Sequence, residues 1–278
     1  MLSDREHRDL AQALLPVTLQ AGAVEMKYFR TGVDVATKVD QTPVTIADQE
    51  AEALIASALQ DIRPDIPIVG EEAASAGALP PSSSTYFLVD PLDGTRDFIA
   101  GREEFTVNIA LVVAGQPVLG VVYQPPTGRL FMTVASDQAL EAIVPVDENI
   151  SSLDQITASR IATVAADQDN IRVAVSRSHR SAKLDAKLDQ LNFSQRLKSG
   201  SSIKFCLVAR GDADVYPRLT SISEWDTAAG HAIVTSAGGA VVGLDGQPLA
   251  YANVEGGYRV APFVVWGEPD LAKIYSFA

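Results

Sequence analysis

Tyr86-Phe87-Leu88-Val89-Asp90-Pro91-Leu92-Asp93-Gly94-Thr95 is an apolar run that turns into two carboxylates three residues apart. Its first four residues read as a buried strand that stops at Asp90. Pro91 fixes its own φ and restricts Asp90, and Gly94 permits a tight turn. Asp90 and Asp93 are thereby held at a stiff corner and can reach one point. Like charges crowded in this way are costly unless a cation lies between them. An all-oxygen donor set suits a hard ion, Mg²⁺ before Zn²⁺. Thr95 opens a short helix in this reading, and free N–H groups at a helix start attract phosphate. Cation and phosphate at one corner imply metal-assisted phosphate chemistry. Asp-Pro and Asp-Gly by themselves are ordinary turn signals; the whole run at a strand end carries the stronger reading.

The 278 residues suit two domains or one large one, and a hydrophobic share of 47% suits a globular chain with sizeable cores. A net charge of −13 argues against nucleic-acid backbones and anionic membrane surfaces as partners. An acidic protein that handles phosphate needs local cations, either metal or a few placed Lys and Arg. Cys206 is the only cysteine, so no intramolecular disulfide forms and a reducing cytoplasm is the simplest compartment. Phe205, Leu207 and Val208 around it mark a core residue rather than a nucleophile. The N-terminus lacks a basic region leading into an apolar one, the mark of a signal peptide. No apolar run is long enough to span a bilayer.

Ser3 and Glu6 form a capping-box pattern. Leu10, Leu14, Val17, Ala21, Val24 and Tyr28 follow as the stripe of an amphipathic helix ending at Gly32, kinked or split at Pro16. Thr45 and Asp48 repeat the cap before a second helix that stops ahead of Pro64. Ile66 to Val69 is a short strand ending in Gly70-Glu71-Glu72, and a loop rich in Ala, Pro and Ser runs from Ala73 to Ser84. Phe105–Val113, Val118–Tyr123 and Leu130–Val134 read as an antiparallel meander. Residues 137–170 are the least readable, and a domain boundary is placed near Ser151. From Arg172 onward strands and helices alternate, which indicates an α/β domain. Asp226 opens a helix that ends at Gly238-Gly239, and a short helix closes the chain over 269–275. The fold class is α/β: residues 1–150 form an α+β half carrying Glu71, Asp90 and Asp93, and residues 151–278 an α/β half carrying Asp226.

Gly70-Glu71-Glu72, Asp90-Pro91-Leu92-Asp93-Gly94-Thr95 and Trp225-Asp226-Thr227-Ala228-Ala229-Gly230 resemble the signatures of the inositol monophosphatase superfamily. The likeness runs in register over nearly the whole chain. It implies a layered αβαβα sandwich and a Mg²⁺-dependent, lithium-sensitive phosphatase. Further segments resemble the 3'(2'),5'-bisphosphate nucleotidases within it. They are Thr42-Pro43-Val44-Thr45-Ile46-Ala47-Asp48, Glu104 to Leu111, Ser176-Arg177-Ser178-His179, Gly200 to Cys206, and Asp214 to Leu219. That resemblance implies removal of the 3'-phosphate from 3'-phosphoadenosine 5'-phosphate, or from its sulfated form, in sulfur assimilation.

Carried over residue by residue, the resemblance implies two or three Mg²⁺ per site. Glu71, Asp90 and the Leu92 carbonyl hold one; Asp90 bridges to a second, which Asp93 and Asp226 complete. Gly94 and Thr95 give N–H groups to the phosphate, and Asp48 with Thr95 orients and deprotonates the attacking water, beside Glu71. His179, Ser201, Lys204 and Arg218 contact the nucleotide, while Glu71, Leu92, Asp93 and Asp226 also face the substrate. Lys38 adds positive charge nearby. On spacing alone Lys204 reads as a helix-surface lysine and His179 as a turn histidine, and His7 and His231 are left as structural. The rival readings are an inositol monophosphatase or fructose 1,6-bisphosphatase on the same scaffold, and a phospho-ligand sensor without turnover. The implied partner is a small phosphorylated nucleotide, and the implied assembly a monomer or homodimer. The implied location is the cytoplasm, with peripheral contact at the inner membrane suggested for relatives.

Overall fold

The structure, a computed structural model, describes residues 2–32, 35–37, 43–177, 181–193 and 195–277. Helix α1 (Asp4–Thr31) starts on the expected capping box of Ser3 with Glu6 and ends at Gly32, φ 84°. It runs through Pro16 without the split that the sequence allows there. Proline removes one backbone bond and costs roughly 3 kcal/mol. Leu10, Leu14 and Leu15 before it, and Val17, Leu19 and Ala21 after it, are all buried and offset that loss. Strands β1 (Val35–Thr37) and β2 (Pro43–Thr45) pair briefly, and helix α2 (Ile46–Ile62) starts on the second capping box, Thr45 with Asp48.

Strands β3 (Ile68–Gly70) and β4 (Thr85–Asp93) are parallel neighbours. Helix α3 (Glu71–Ser75) leaves the end of β3, and helix α4 (Thr95–Ile99) the end of β4. The apolar run suggested that β4 stops at Asp90, but the strand reaches Asp93. It does so through a register shift against β5 (Thr106–Val113), which leaves Pro91, with no N–H to give, out of the ladder. Strands β6 (Gln116–Gln124) and β7 (Arg129–Ala135) complete the expected meander. Strands β8 (Gln138–Ile143) and β9 (Ala158–Ile161) then extend it to a seven-stranded sheet in sequence order, across residue 151. Only the last residue of β9 is buried, so that stretch shows no alternation to read.

The second half alternates as expected. It holds β10 (Arg172–Ser176), α5 (Ala182–Gln190), β11 (Gln195–Ser199), α6 (Ile203–Ala209), β12 (Val215–Arg218) and β13 (Ile222–Ser223). Then come α7 (Ala228–Ser236), β14 (Ala240–Gly243), β15 (Arg259–Val260), β16 (Phe263–Trp266) and a 3₁₀ turn over Pro269–Lys273. Five strands form a sheet in the order β11-β10-β12-β16-β14, and β13 pairs with β15. Helices α1 and α2 cover one face of the large sheet, α6 and α7 fill the space between the two sheets, and α5 lies on the far face. This is the αβαβα sandwich. Its central core joins Leu88, Val112 and Phe131 from the first half to Phe205, Cys206, Ile233 and Phe263 from the second. No helix among the described residues is long and apolar enough to cross a membrane.

Candidate active site

The parallel pairing of β3 with β4 sets Gly70 beside Val89. Glu71 and Asp90 therefore leave neighbouring strands at the same level. Asp226 arrives from the turn that leads into α7. One carboxylate oxygen from each of Glu71, Asp90 and Asp226 lies within 4.8 Å of the others. Asp90 is buried; its Oδ1 accepts the Leu92 N–H at 3.1 Å, and its Oδ2 has no partner. Burial, then the charges of Glu71, Asp93 and Asp226, holds the Asp90 carboxyl well above the usual carboxylate range. Burial, then the charges of Asp93 and Glu71, pushes Asp226 up to about 8. Converging carboxyls with an orphaned buried oxygen fit a hard divalent cation, which would take the place of their protons.

Asp93 lines the same cleft but is held differently. Its Oδ2 accepts from Ser201 Oγ and Ser202 Oγ, both at 2.9 Å, and from Asn108 Nδ2 at 3.4 Å. So three of the four predicted acids meet at one point, and the fourth stands beside them in a clasp of hydroxyls. Ser201 takes a left-handed backbone, φ 53°, at this contact, a conformation uncommon for non-glycine residues.

The corner after Asp93 is set by Gly94, at φ 104°. A Cβ there would lie 2.7 Å from the Glu104 carbonyl oxygen, so only glycine fits. Thr95 Oγ1 lies 3.1 Å from Asp48 Oδ1 and 3.2 Å from the Leu92 carbonyl oxygen, with both acceptors open to its proton. Asp48 Oδ2 is engaged by the Thr45 N–H at 2.7 Å and the Thr45 hydroxyl at 2.6 Å. The helix cap thus fixes Asp48 and aims its other oxygen at Thr95.

A cleft of about 300 Å³ contains Glu71, Asp90, Leu92, Asp93, Gly94, Thr95 and Asp226, and also Ser201, Lys204 and Arg218. Lys204 is not the surface lysine that spacing suggests. It is 4% exposed, its ammonium donates to the Ser201 carbonyl, and it stands 5.3 Å from the centre of the Tyr216 ring. The Nε of Arg218 is buried without a partner. His179 and Lys38 lie outside the described residues. His7 meets Thr133 at 2.8 Å and His231 meets Tyr251 at 3.0 Å, both away from the cleft.

Sequence reasoning missed three residues. Glu52, one turn after Asp48 on α2, accepts the Glu72 and Ala73 N–H groups at 2.7 and 2.8 Å and so fixes the turn that carries Glu71. A Cβ at Gly70 would lie 2.5 Å from the Glu52 carboxyl carbon, so a glycine precedes Glu71 for reasons of space. Glu224, fully buried, accepts from Tyr86 Oη at 3.0 Å and from the Ala252 and Asn253 N–H groups at 3.1 and 2.8 Å, next to the Asp226 turn. Arg259 lines the cleft from β15. The Asp48–Glu52 spacing was the only available signal, since the partners of the other two lie far along the chain.

Comparison with protein families matches residues 6–265 to the Inositol monophosphatase family. The 3'(2'),5'-bisphosphate nucleotidase CysQ of Escherichia coli strain K12 is 40% identical over 233 residues, which cover 82% of this chain and 89% of that protein. The crystal structure of CysQ from Bacteroides thetaiotaomicron, described as a bacterial member of the inositol monophosphatase family, superposes with a TM-score of 0.76 at 35% identity. That match covers 93% of this chain and 97% of the other. An inositol monophosphatase from Zymomonas mobilis matches at a TM-score of 0.74 and 25% identity, over 96% of this chain and 95% of that one. Fold, cleft and these likenesses together define a phosphatase, an enzyme that cleaves phosphoric monoesters. The chain belongs to the inositol monophosphatase family.

Proposed function

We propose that the enzyme is a Mg²⁺-dependent 3'(2'),5'-bisphosphate nucleotidase. It removes the 3'-phosphate from 3'-phosphoadenosine 5'-phosphate, and from its sulfated form. The observation that carries this reading is the mixed cleft: Glu71, Asp90 and Asp226 converge in it, and Lys204 and Arg218 line it too without forming an ion pair among the described residues. The names of the relatives point the same way.

Glu71, Asp90 and the Leu92 carbonyl would hold one Mg²⁺, and Asp90, Asp93 and Asp226 a second. Bound there, Mg²⁺ supplies positive charge that makes water more acidic and steadies the oxygen left on the ribose. The remaining work falls to the chain. Gly94 and Thr95 offer N–H groups to the phosphate being cleaved. The Thr95 hydroxyl gives its proton to Asp48 Oδ1, which leaves its lone pairs to orient the attacking water. Asp48 Oδ2 is occupied by Thr45, so Oδ1 is the atom that accepts the water's proton through Thr95. Ser201, Lys204 and Arg218 hold the nucleotide end, where an arginine fork suits phosphate oxygens.

The test is phosphate release by purified protein in Mg²⁺, with and without Li⁺. It compares 3'-phosphoadenosine 5'-phosphate, inositol 1-phosphate and fructose 1,6-bisphosphate. The nucleotide should be the best substrate and Li⁺ should inhibit. A preference for inositol 1-phosphate or fructose 1,6-bisphosphate would reject the nucleotide assignment, and no release from any of them would reject catalysis.

A further inference from the structure

The proposed substrate carries two phosphates and the reaction consumes one. The spared phosphate enters a protein of net charge −13 and a cleft already lined by Glu71, Asp90, Asp93 and Asp226. Coulomb repulsion there is unfavourable unless cations face the second phosphate. Most arginines of this chain are taken: Arg63, Arg102, Arg129, Arg172, Arg177, Arg196 and Arg210, among others, each pair with a carboxylate. Arg218 and Arg259 line the cleft and pair with no acid among the described residues.

Arg259 is exposed at the mouth of the cleft, and it is anchored. Its Nε donates to Ser221 Oγ at 3.3 Å and its Nη2 to the Ser221 carbonyl at 2.9 Å. The β13–β15 pairing sets Arg259 opposite Ser223, on the segment that follows Arg218. A guanidinium has five N–H groups. The two spent on Ser221 fix its plane and leave the others for an oxyanion. Holding the fork in place beforehand reduces the entropy lost when it binds.

We propose that Arg259 grips the phosphate that is not cleaved and thereby sets the preference for substrates with two phosphates. The assignment rests on the bisphosphate-nucleotidase reading for its substrate, and two measurements separate the two claims. The first is the ratio of kcat/KM on adenosine 3',5'-bisphosphate to that on adenosine 3'-monophosphate. In Arg259→Ala this ratio should fall roughly tenfold to a hundredfold, the scale of one lost charge-assisted contact, with Arg259→Lys in between. A general loss of structure would lower both rates and leave the ratio where it was. The second is calorimetric binding of adenosine 5'-monophosphate against adenosine, which needs no turnover. The wild type should favour the monophosphate, and Arg259→Ala should lose about tenfold of that advantage. An unchanged ratio in the variant, or equal binding of the two ligands by the wild type, overturns the assignment. A wild type that releases no phosphate from either nucleotide overturns the proposed function instead. The Arg259 assignment then stands or falls on the calorimetry alone.

Discussion

Replacing Asp48 by Asn isolates the proposed proton relay from everything else that residue does. Asp48 has two jobs on two oxygens. Oδ2 closes the cap of α2 by accepting from the Thr45 N–H and hydroxyl at 2.7 and 2.6 Å, and Oδ1 stands 3.1 Å from the Thr95 hydroxyl. The carbonyl of an Asn can take over the cap, and its NH₂ then faces Thr95. The cap loses charge but keeps its bonds, a cost of about 0.5–1 kcal/mol. The relay loses its acceptor altogether, since an amide takes no proton. General-base loss is worth roughly 10²–10⁴ in rate, about 3–5 kcal/mol of barrier. Phosphate release at saturating Mg²⁺ should therefore show kcat down by that factor and KM little changed, with the thermal melt nearly as in the wild type. Thr95→Ala should lose a similar factor, and Thr95→Ser should restore much of it. Because the two residues act as one unit, the double variant should be little worse than either single one. A kcat for Asp48→Asn within a few-fold of the wild type, or a double variant whose losses multiply, would show that no such relay operates.

Three other outcomes follow from the geometry. Glu52→Ala removes the acceptor of the Glu72 and Ala73 N–H groups; the Mg²⁺ needed for half-maximal activity should rise about 10- to 100-fold, as for other outer partners of metal ligands, and an unchanged Mg²⁺ titration would contradict this. In metal-free protein, Asp226 rises from 3.8 in the unfolded chain to about 8 on folding. Its protonated form is then the stable one, so its contribution is full below pH 4 and is lost as pH climbs through 8. The melting-temperature gain from added Mg²⁺ should accordingly be larger at pH 8 than at pH 5, as read by calorimetric scans. His231 runs the other way, because burial lowers it from 6.5 to about 4. The folded state is stable with the ring neutral and loses stability as pH falls from 6.5 towards 4, by up to about 3 kcal/mol. Urea unfolding of Mg²⁺-loaded wild type against His231→Gln at pH 7 and pH 4.5 should show that difference narrowing in acid.

The corner at Asp90 to Thr95 was legible because proline and glycine speak locally, through φ. The capping boxes at Ser3 and Thr45 were legible for the same reason, since each is a bond across three residues. What sequence could not show was settled by distant partners. The strand passes through Pro91 because β5 tolerates a register shift there. α1 passes through Pro16 because its neighbours are buried. Spacing alone makes Lys204 a surface residue, although the family resemblance puts it at the nucleotide; Tyr216 and the Ser201 carbonyl enclose it. Glu224 carried no signal of its own, since it reaches Tyr86 across 138 positions. Residues 137–170 were opaque because an edge strand such as β9 has almost nothing buried from which to read a period.

A boundary near residue 151 invites the idea of two lobes closing on substrate, yet the contacts argue for a site built closed. Ser202, buried at the head of α6, has one hydroxyl proton and two acceptors in reach: Asp93 Oδ2 at 2.9 Å and the Asp226 carbonyl at 3.0 Å. It also accepts from Asn108 Nδ2 at 2.9 Å. One side chain of the second half therefore touches β4, β5 and the Asp226 turn together. The central core likewise mixes both halves, with Leu88 and Val112 against Phe205 and Ile233. Opening the halves around the cleft would expose apolar surface at a cost of roughly 25 cal/mol per Å² and take from half-buried Asp93 the two hydroxyls it accepts from. Acids that repel one another need such a frame, because nothing in their own chemistry would bring Glu71, Asp90 and Asp226 within 4.8 Å. The frame does the work of assembly during folding, so the ligands proposed for Mg²⁺ would already be in place before it binds.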